Sequence, residues 1–249
     1  MKNDGFPTRE ERWALWQEAF GDSEEELSLF EGHAFSPARF AYRREDGTLA
    51  AALYFFDCTC RGKRIAYFYA IATAKAYRGR GLCRALMAQV HTRLAAAGYA
   101  GALLVPAEES LFAFYEKLGY RTVCALDERT VRAADAPAPL CELTAEEYAA
   151  RRRVRLPEGG VVQEGENLSY LATHARFFAG EDFIFVTREE EDGVTVLEFL
   201  GNAARAGEAL RALGYEAGTI RTAGKEKPFA MYFPRSGAPD PEYFAFAFD

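Results

Sequence analysis

The stretch that decides the fold is Tyr77-Arg78-Gly79-Arg80-Gly81-Leu82-Cys83-Arg84. Before it, residues 65–73 are rich in β-branched and aromatic side chains and predict a β-strand. After it, apolar side chains recur every four positions, at Leu82, Leu86, Val90 and Leu94. That spacing predicts a long helix with one apolar face.

A strand, a glycine-containing turn and a helix together are suited to holding a phosphate group. Glycine lets the backbone approach a ligand closely, and the first N–H groups of a helix have no partner within it. Arg78 and Arg80 add cations that suit phosphate oxygens. Two glycines between a strand and a helix can also serve only to turn the chain, so the interpretation depends on the residues that follow.

The residues that follow complete a crossover unit. Ala102 to Val105 is an apolar run that predicts a second strand, parallel to the first. Residues 110–120 then predict a short helix, and Gly119 suits the left-handed position at its end.

The run from Ile71 to Tyr120 resembles the GCN5-related N-acetyltransferases, the GNAT superfamily. The acyl-CoA signature of that family, Gln/Arg-x-x-Gly-x-Gly/Ala, reads here Arg78-x-x-Gly81-x-Cys83, and Cys83 departs from the pattern while remaining small. A second signature, Phe-Tyr-Glu-Lys-Leu-Gly-Phe/Tyr, is present from Phe114 to Tyr120. The resemblance covers about residues 40–125.

The pattern and the resemblance together predict an α+β GNAT fold, in which a mixed, mostly antiparallel sheet is flanked by helices. Two helices come first, one capped by Thr8 with Glu11 in a capping box and one capped by Asp22 or Ser23. The resemblance implies that these two helices close over the acceptor site. A hairpin joined at Asp46-Gly47 precedes the central strand.

We expect an N-terminal GNAT domain over residues 1–133, a linker over 134–140 and a second unit over 141–249. The linker contains two prolines among small residues. The second unit is interpreted as a degenerate GNAT-like α/β unit, because Leu210 to Tyr215 repeats the pattern of Leu94 to Tyr99 without an Arg-Gly-x-Gly loop. An unrelated C-terminal domain is the alternative.

The cofactor-binding prediction rests on main-chain groups. The N–H groups of Gly79, Arg80, Gly81, Leu82 and Cys83 are expected to hold the pyrophosphate of acetyl-CoA, with Arg78 adding charge. The resemblance further implies that the strand through Ile71, Ala72 and Thr73 pairs with the pantetheine amides. A backbone N–H near Ile71 would then be the oxyanion donor.

Tyr115 is the predicted general acid, since the resemblance implies that this phenol protonates the CoA sulfur. The same residue also lies on an apolar helical stripe and could belong to the core.

The general base is not identified. The family often places a glutamate on the central strand, but here that strand offers Tyr67 and Tyr69, and Glu108 and Glu109 are further candidates. A less usual candidate is the C-terminal carboxylate of Asp249, a role implied by resemblance to tandem members related to mycobacterial aminoglycoside acetyltransferases. The tail 243–248 alternates as a strand would, which predicts a fixed chain end.

Composition limits the partners. The net charge of −7 argues against a general nucleic-acid binder, and the sequence lacks an apolar run of the roughly 20 residues that a membrane-spanning helix needs. An odd number of cysteines, 5, and no secretory signal favour a cytoplasmic protein. No metal is expected, because the Cys58 and Cys60 pair is not matched by a second pair.

The basic run 151–155 is interpreted as a solvated helix face, with a phosphate or nucleic-acid site as the alternative.

The predicted function is transfer of an acetyl group from acetyl-CoA to a primary amine, by direct attack through a tetrahedral intermediate. The acceptor is a small molecule or a peptide, and a homo-oligomer is left open. The alternative is a non-catalytic protein that binds acyl-CoA as a sensor or as a structural ligand.

Overall fold

The computed structural model describes residues 5–191, 193–235 and 237–248. The elements of the first part are α1 (Arg9–Phe20), α2 (Glu24–His33), β1 (Phe40–Glu45), β2 (Thr48–Cys60), β3 (Lys63–Thr73), α3 (Leu82–Ala96), β4 (Gly101–Leu104), α4 (Ser110–Glu116) and β5 (Arg121–Arg132). Those of the second part are β6 (Cys141–Leu143), α5 (Ala145–Arg155), α6 (Glu166–Leu171), β7 (Arg176–Ala179), β8 (Phe183–Glu190), β9 (Gly193–Gly201), α7 (Ala206–Ala212), β10 (Ala217–Gly224) and β11 (Lys227–Pro234).

The first two helices begin as the sequence predicts. Thr8 and Glu11 form a capping box on α1, and Ser23 and Glu26 form another on α2. Gly21 ends α1 in the left-handed conformation, with a φ of 82°, which costs glycine little. The elbow between the two helices is therefore defined by local hydrogen bonds at both ends.

The described strands form one eleven-stranded sheet in the order β1-β2-β3-β4-β11-β5-β10-β9-β8-β7-β6. Most neighbours are antiparallel, while β3–β4 and β9–β10 are parallel. Helix α3 connects the first parallel pair and α7 connects the second. The mixed α+β architecture predicted from the sequence is confirmed.

The strand order of the second half repeats that of the first when the sheet is followed inward from β1 at one edge and from β7, next to the edge strand β6, on the other side. The order β7-β8-β9-β10-β5 from one side matches β1-β2-β3-β4-β11 from the other. Strand β11 thus pairs with β4 of the N-terminal half, and β5 pairs with β10 of the C-terminal half. The two halves exchange one strand each, and their division at residues 134–140 stays a prediction.

Different helices cover the two faces of the sheet. Alternate residues of a strand point to opposite faces, so neighbouring residues of β2 enter different cores. Tyr54 and Phe56 of β2 belong to one core, together with residues of α1, α2, α5, α6 and the tail. Leu53 and Phe55 belong to the opposite core, beneath α3 and α4. The expected apolar stripe of α3, Leu82, Leu86, Val90 and Leu94, is buried there. A third core lies beneath α7.

Candidate active site

The loop between β3 and α3 has the conformation that an anion site requires. Gly79 and Gly81 have φ angles of 75° and 76°, and Gly81 is the N-cap of α3. A Cβ at either glycine would meet no atom within 4 Å, so the space beside the loop is open. The first N–H groups of α3 point out of the helix toward that space.

Two guanidinium groups lie beside the loop. Arg78 Nε donates to the Thr73 carbonyl at 3.1 Å, and an Arg80 guanidinium nitrogen donates to the Ala76 carbonyl at 3.0 Å. Both side chains are exposed, and a guanidinium has five N–H donors, so donors remain for a ligand. Positive charge and unpaired helix N–H groups together favour a diphosphate.

Leu82 and Cys83 contribute to this loop through their main chain. The Leu82 side chain is buried beneath α3, and the Cys83 thiol donates to Met87 Sδ at 3.8 Å. Burial raises the pKa of Cys83 to about 11, which keeps the thiol protonated at neutral pH. A nucleophilic role for this cysteine is not supported.

Strand β3 separates from β4 partway along its length. The parallel pairing runs from Ala66↔Ala102 to Phe68↔Leu104. The next part of β3 contains a β-bulge against β2, and there Ala70 has a φ of 50°. A left-handed alanine within a strand is strained, and such strain is concentrated at functional sites. The bulge turns residues 69–73 away from β4 and leaves an opening in the sheet.

A cavity of about 440 Å³ occupies this opening. Tyr67 and Tyr69 line it from the face that carries α1 and α2, while Phe68 and Tyr115 line it from the face that carries α3 and α4. Ile71 lies on its wall. The cavity therefore passes through the sheet.

The predicted cofactor residues of β3 lie at different depths. Ile71 is half-buried in the cavity wall, while the Ala72 side chain is buried in the core on the α1–α2 face. The carbonyl of Thr73 accepts the hydrogen bond from Arg78. Of the three side chains, only that of Ile71 borders the cavity.

Tyr115 has 7% of its surface exposed. Burial is the main cause that raises its pKa, and the nearby Cys83 is a smaller one. Its phenol is therefore a proton donor at neutral pH. Tyr115 belongs to the core beneath α4 and also borders the cavity, and its role as general acid stays a prediction.

A second cavity, of about 390 Å³, lies on the α1–α2 face. Its walls are largely aromatic, with Trp16, Phe30, Tyr69, Tyr170 and Phe248. Its charged side chains are mostly acidic, namely Asp22, Glu26 and Glu190 with Arg188 and His174. Burial lowers the pKa of His174, which leaves this imidazole neutral at pH 7. The cavity combines apolar walls with an excess of negative charge.

The two cavities meet at four shared residues: Asp22, Tyr69, Ala70 and Phe248. Sequence reasoning treated Asp22 only as a candidate cap. Ser23 performs that capping, which leaves the half-buried Asp22 carboxylate at the junction. Burial is the main cause that raises the pKa of Asp22 to about 6, and the negative charge of the nearby Glu26 is a smaller one. The sequence contained one signal for Asp22. The elbow Gly21-Asp22-Ser23 has two polar residues, and the cap of α2 needs only one of them.

The C-terminal tail reaches this junction without forming the predicted strand. Tyr243 makes one isolated bridge with Gly160, and the residues after it have no ladder partner within the described range. Instead, the Gln163 amide donates to the Phe246 carbonyl at 2.9 Å and accepts from the Phe246 N–H at 3.2 Å. The Phe248 N–H donates to the Tyr67 hydroxyl at 3.2 Å.

The strand-like alternation of the tail does not lead to a regular strand, and its six mostly aromatic residues bury every side chain in the core. The predicted base Asp249 lies outside the described residues and stays a prediction. The other candidates, Glu108 and Glu109, border a different cavity beside α4.

The basic run on α5 is not a uniformly solvated face. Arg152 is 2% exposed and Glu198 is fully buried. Arg152 Nε donates to Glu198 Oε2 at 2.7 Å, and a terminal nitrogen donates to Oε1 at 2.9 Å. The hydroxyls of Tyr148 and Tyr243 donate to the same carboxylate. Glu198 attracts this arginine into the core, while Val154 of the same run is exposed.

The described ranges contain neither a candidate metal cluster nor a helix suited to crossing a membrane. No group of three or more His, Cys, Asp or Glu side chains is placed to hold a metal ion there. Every helix in these ranges falls short of the length and apolar character that crossing a membrane requires.

Known structures share this fold. A GCN5-related N-acetyltransferase from Kribbella flavida is 19% identical, with a TM-score of 0.68 over 90% of this chain and 67% of its own. A GCN5-related N-acetyltransferase from Anabaena variabilis is 14% identical, with a TM-score of 0.68 over 90% of this chain and 70% of its own. Eis1 from Mycobacterium abscessus is 16% identical, with a TM-score of 0.62 over 86% of this chain and 64% of its own. The present chain thus spans about two thirds of these longer proteins.

No curated protein sequence matches the chain significantly. Residues 8–123 match the model of the acetyltransferase (GNAT) domain. This match contains α1, α2, the glycine loop, the opening in the sheet and Tyr115. Residues 8–123 of this chain thus carry a GNAT acetyltransferase domain.

Proposed function

We propose that the protein is an N-acetyltransferase that moves the acetyl group of acetyl-CoA to a primary amine. The observation that carries this proposal is the cavity that passes through the sheet where β3 leaves β4. Its ends connect the glycine-loop side of the sheet to the acidic, aromatic cavity on the other face. A thioester held in such an opening is accessible to an amine from one side while its coenzyme stays on the other.

The residues around the opening suit the parts of this reaction. The N–H groups of residues 79–83 and the Arg78 guanidinium hold the diphosphate. A main-chain N–H near Ile71 donates to the carbonyl oxygen as it gains negative charge. The Tyr115 phenol protonates the departing sulfur. Acetyl-CoA supplies an activated acyl group, and the chain supplies grip, orientation and proton donors.

The acceptor is expected to be a cation before it reacts. Three carboxylates and one guanidinium border the second cavity, and its imidazole is neutral, so the cavity favours an ammonium group. Aromatic walls suit the apolar part of such a molecule and stabilise a cation near a ring face. Both a small amine and the amine of a peptide satisfy these requirements.

The second candidate function is binding of acyl-CoA without turnover. It is favoured by the absence of a glutamate from the described strand β3, where Tyr67 and Tyr69 face the cavity. A sensor of this kind would bind acetyl-CoA and CoA but release no thiol from the former in the presence of amines.

The test is thiol release from acetyl-CoA with a panel of polyamines, aminoglycosides and amino acids. We expect amine-dependent release of CoA, with an acetylated product detected by mass spectrometry. Acetyl-CoA without an amine and amine without the protein are the controls. Tight binding of acetyl-CoA with no release across the panel would support the sensor instead.

A further inference from the structure

Asp22 is an unusual carboxylate for this chain. It lies in the elbow between Gly21 and Ser23, where Ser23 has taken the capping role for α2. Within the described ranges, Asp22 forms no hydrogen bond and no ion pair. Most other carboxylates near the cavities are already engaged, since Glu26 completes the capping box and Glu190 pairs with Arg188 at 2.9 Å. Asp22 is therefore the carboxylate with capacity for a new partner.

Its position is as distinctive as its lack of a partner. Among the described carboxylates, only Asp22 borders both the cavity through the sheet and the acidic cavity. Its charge acts on the hydroxyls of Tyr69 and Tyr170, whose pKa values are raised first by burial. An amine that approaches the opening from the acidic cavity passes this carboxylate.

We propose that Asp22 is the general base that takes the proton from the acceptor ammonium. This inference rests on the proposed acetyl transfer and adds the residue that the sequence left unidentified. One N–H bond of the ammonium breaks, and its proton passes to the Asp22 carboxylate, either directly or through one water. The freed lone pair forms the C–N bond to the thioester carbon, and the carbonyl electrons move to oxygen.

The remaining steps conserve every proton. When the tetrahedral intermediate collapses, the C–S bond breaks and the sulfur takes the phenolic proton of Tyr115. The nitrogen, which still carries one extra proton, returns a proton to the Tyr115 oxygen. Asp22 then releases its proton to solvent. The sum is an ammonium plus acetyl-CoA giving an amide, CoA and one proton.

The charges around Asp22 set the pH at which it acts. The titratable groups that line the two cavities with it are Glu26, Tyr67, Tyr69, Tyr115, Tyr170, His174, Arg188 and Glu190. Burial and, after it, the charge of Glu26 raise the pKa of Asp22 to about 6. This pKa is closer to the pKa of an amine than the pKa of an ordinary aspartate is. Activity should therefore rise through pH 6 as Asp22 loses its proton.

The test compares wild type with D22N, D22E and the control E25Q, which changes an exposed glutamate of α2 outside both cavities. Asparagine keeps the shape of the side chain but cannot accept the proton. For D22N we expect a kcat lower by about 100-fold or more, an unchanged Kd for acetyl-CoA, and loss of the rising limb of the pH profile. D22E should restore part of the rate and the limb, and E25Q should match wild type.

The measurements use full-length protein and the panel amine that wild type converts with the highest kcat/KM. If D22N keeps kcat and the rising limb but raises the KM for the amine, Asp22 only anchors the ammonium, and the assignment is overturned. An unchanged D22N profile overturns it as well. If wild type binds acetyl-CoA but releases no CoA with any amine, the proposed function itself has failed. If wild type is active and D22N is equally active, only the assignment of Asp22 has failed.

Discussion

The hydroxyl of Tyr69 on β3 lies 3.4 Å from the hydroxyl of Tyr170 on α6. These residues are 101 positions apart in the sequence, and the contact joins the two halves of the chain at the wall of the acidic cavity. The N-terminal family domain thus contributes only part of this cavity, and α6, the residues just after it, β8 and the tail supply the rest. We expect the C-terminal half to determine which amine is accepted.

Removal of the Tyr170 hydroxyl tests that expectation. In Y170F the ring remains and the Tyr69 hydroxyl loses its partner, at a cost of about 1 kcal/mol. The KM for the amine should rise by roughly 5-fold, while the Kd for acetyl-CoA, measured by calorimetry, stays unchanged. A changed affinity for acetyl-CoA with an unchanged KM for the amine would contradict the assignment of Tyr170 to the amine-binding cavity.

Substitution of Tyr115 tests the proton donor. In Y115F the buried ring keeps its packing but the sulfur loses its acid, so kcat should fall by about 100-fold or more while acetyl-CoA binding persists. The matched control is F114Y on the exposed side of α4, which should leave both quantities near wild type. An unchanged rate constant for Y115F would remove its catalytic role.

The glycine loop is tested with two glycines on the same helix. Gly81 begins α3 with a φ of 76°, and Gly98 follows its end with a φ of 80°. An alanine at either position should destabilise the fold similarly, by about 1 kcal/mol. Only G81A alters the proposed phosphate site, so it alone should weaken CoA binding in calorimetry. Equal weakening in G98A would show that the loss follows stability and not the loop.

Sequence reasoning predicted the local features well and the long-range ones poorly. The strand, loop and helix from residue 65 to 96 follow from periodicity and glycine chemistry, which act over a few residues. The insertion of β11 between β4 and β5 leaves no such local signal. Asp22 was missed for the same reason, because the cavities it joins are built from elements far apart in the sequence, from α1, α2 and β3 to α6, β8 and the tail.

The buried pair Arg152–Glu198 provides a clear test of stability. R152A leaves the Glu198 charge in the core without its cation, and we expect a loss of about 3–5 kcal/mol of unfolding free energy in urea. R176A breaks the exposed Arg176–Glu142 pair, in which both side chains are 53% exposed, and should cost less than about 1 kcal/mol. The double change R152M with E198L removes both charges together but leaves the buried hydroxyls of Tyr148 and Tyr243 without their acceptor, so it should recover only part of the loss.

Asp22 should also make stability depend on pH. Its folded pKa of about 6 lies above its ordinary value of 3.8, so the folded state binds this proton more tightly than the unfolded state. The resulting stabilisation is complete below about pH 4 and is lost as pH rises through about 6.

D22N lacks this titration, and it should exceed wild type in stability above pH 6. Because Asp22 is partly exposed and solvent screens its charge, we expect a gain of about 1 kcal/mol, or roughly 2–4 °C in Tm. The advantage should disappear near pH 4. A D22N protein that melts below wild type at pH 7.5 would contradict the raised pKa of Asp22.

The central claim is that the loop after β3 and the opening beside Ala70 together bind an acyl-coenzyme A. Calorimetric titration with acetyl-CoA and, separately, with acetyl-pantetheine, which lacks the diphosphate, tests it most directly. We predict saturable binding of one acetyl-CoA per chain and binding of acetyl-pantetheine weaker by at least about 100-fold, since several charge-assisted hydrogen bonds are lost. Absence of heat with millimolar acetyl-CoA, or equal affinity for the two compounds, would contradict the account.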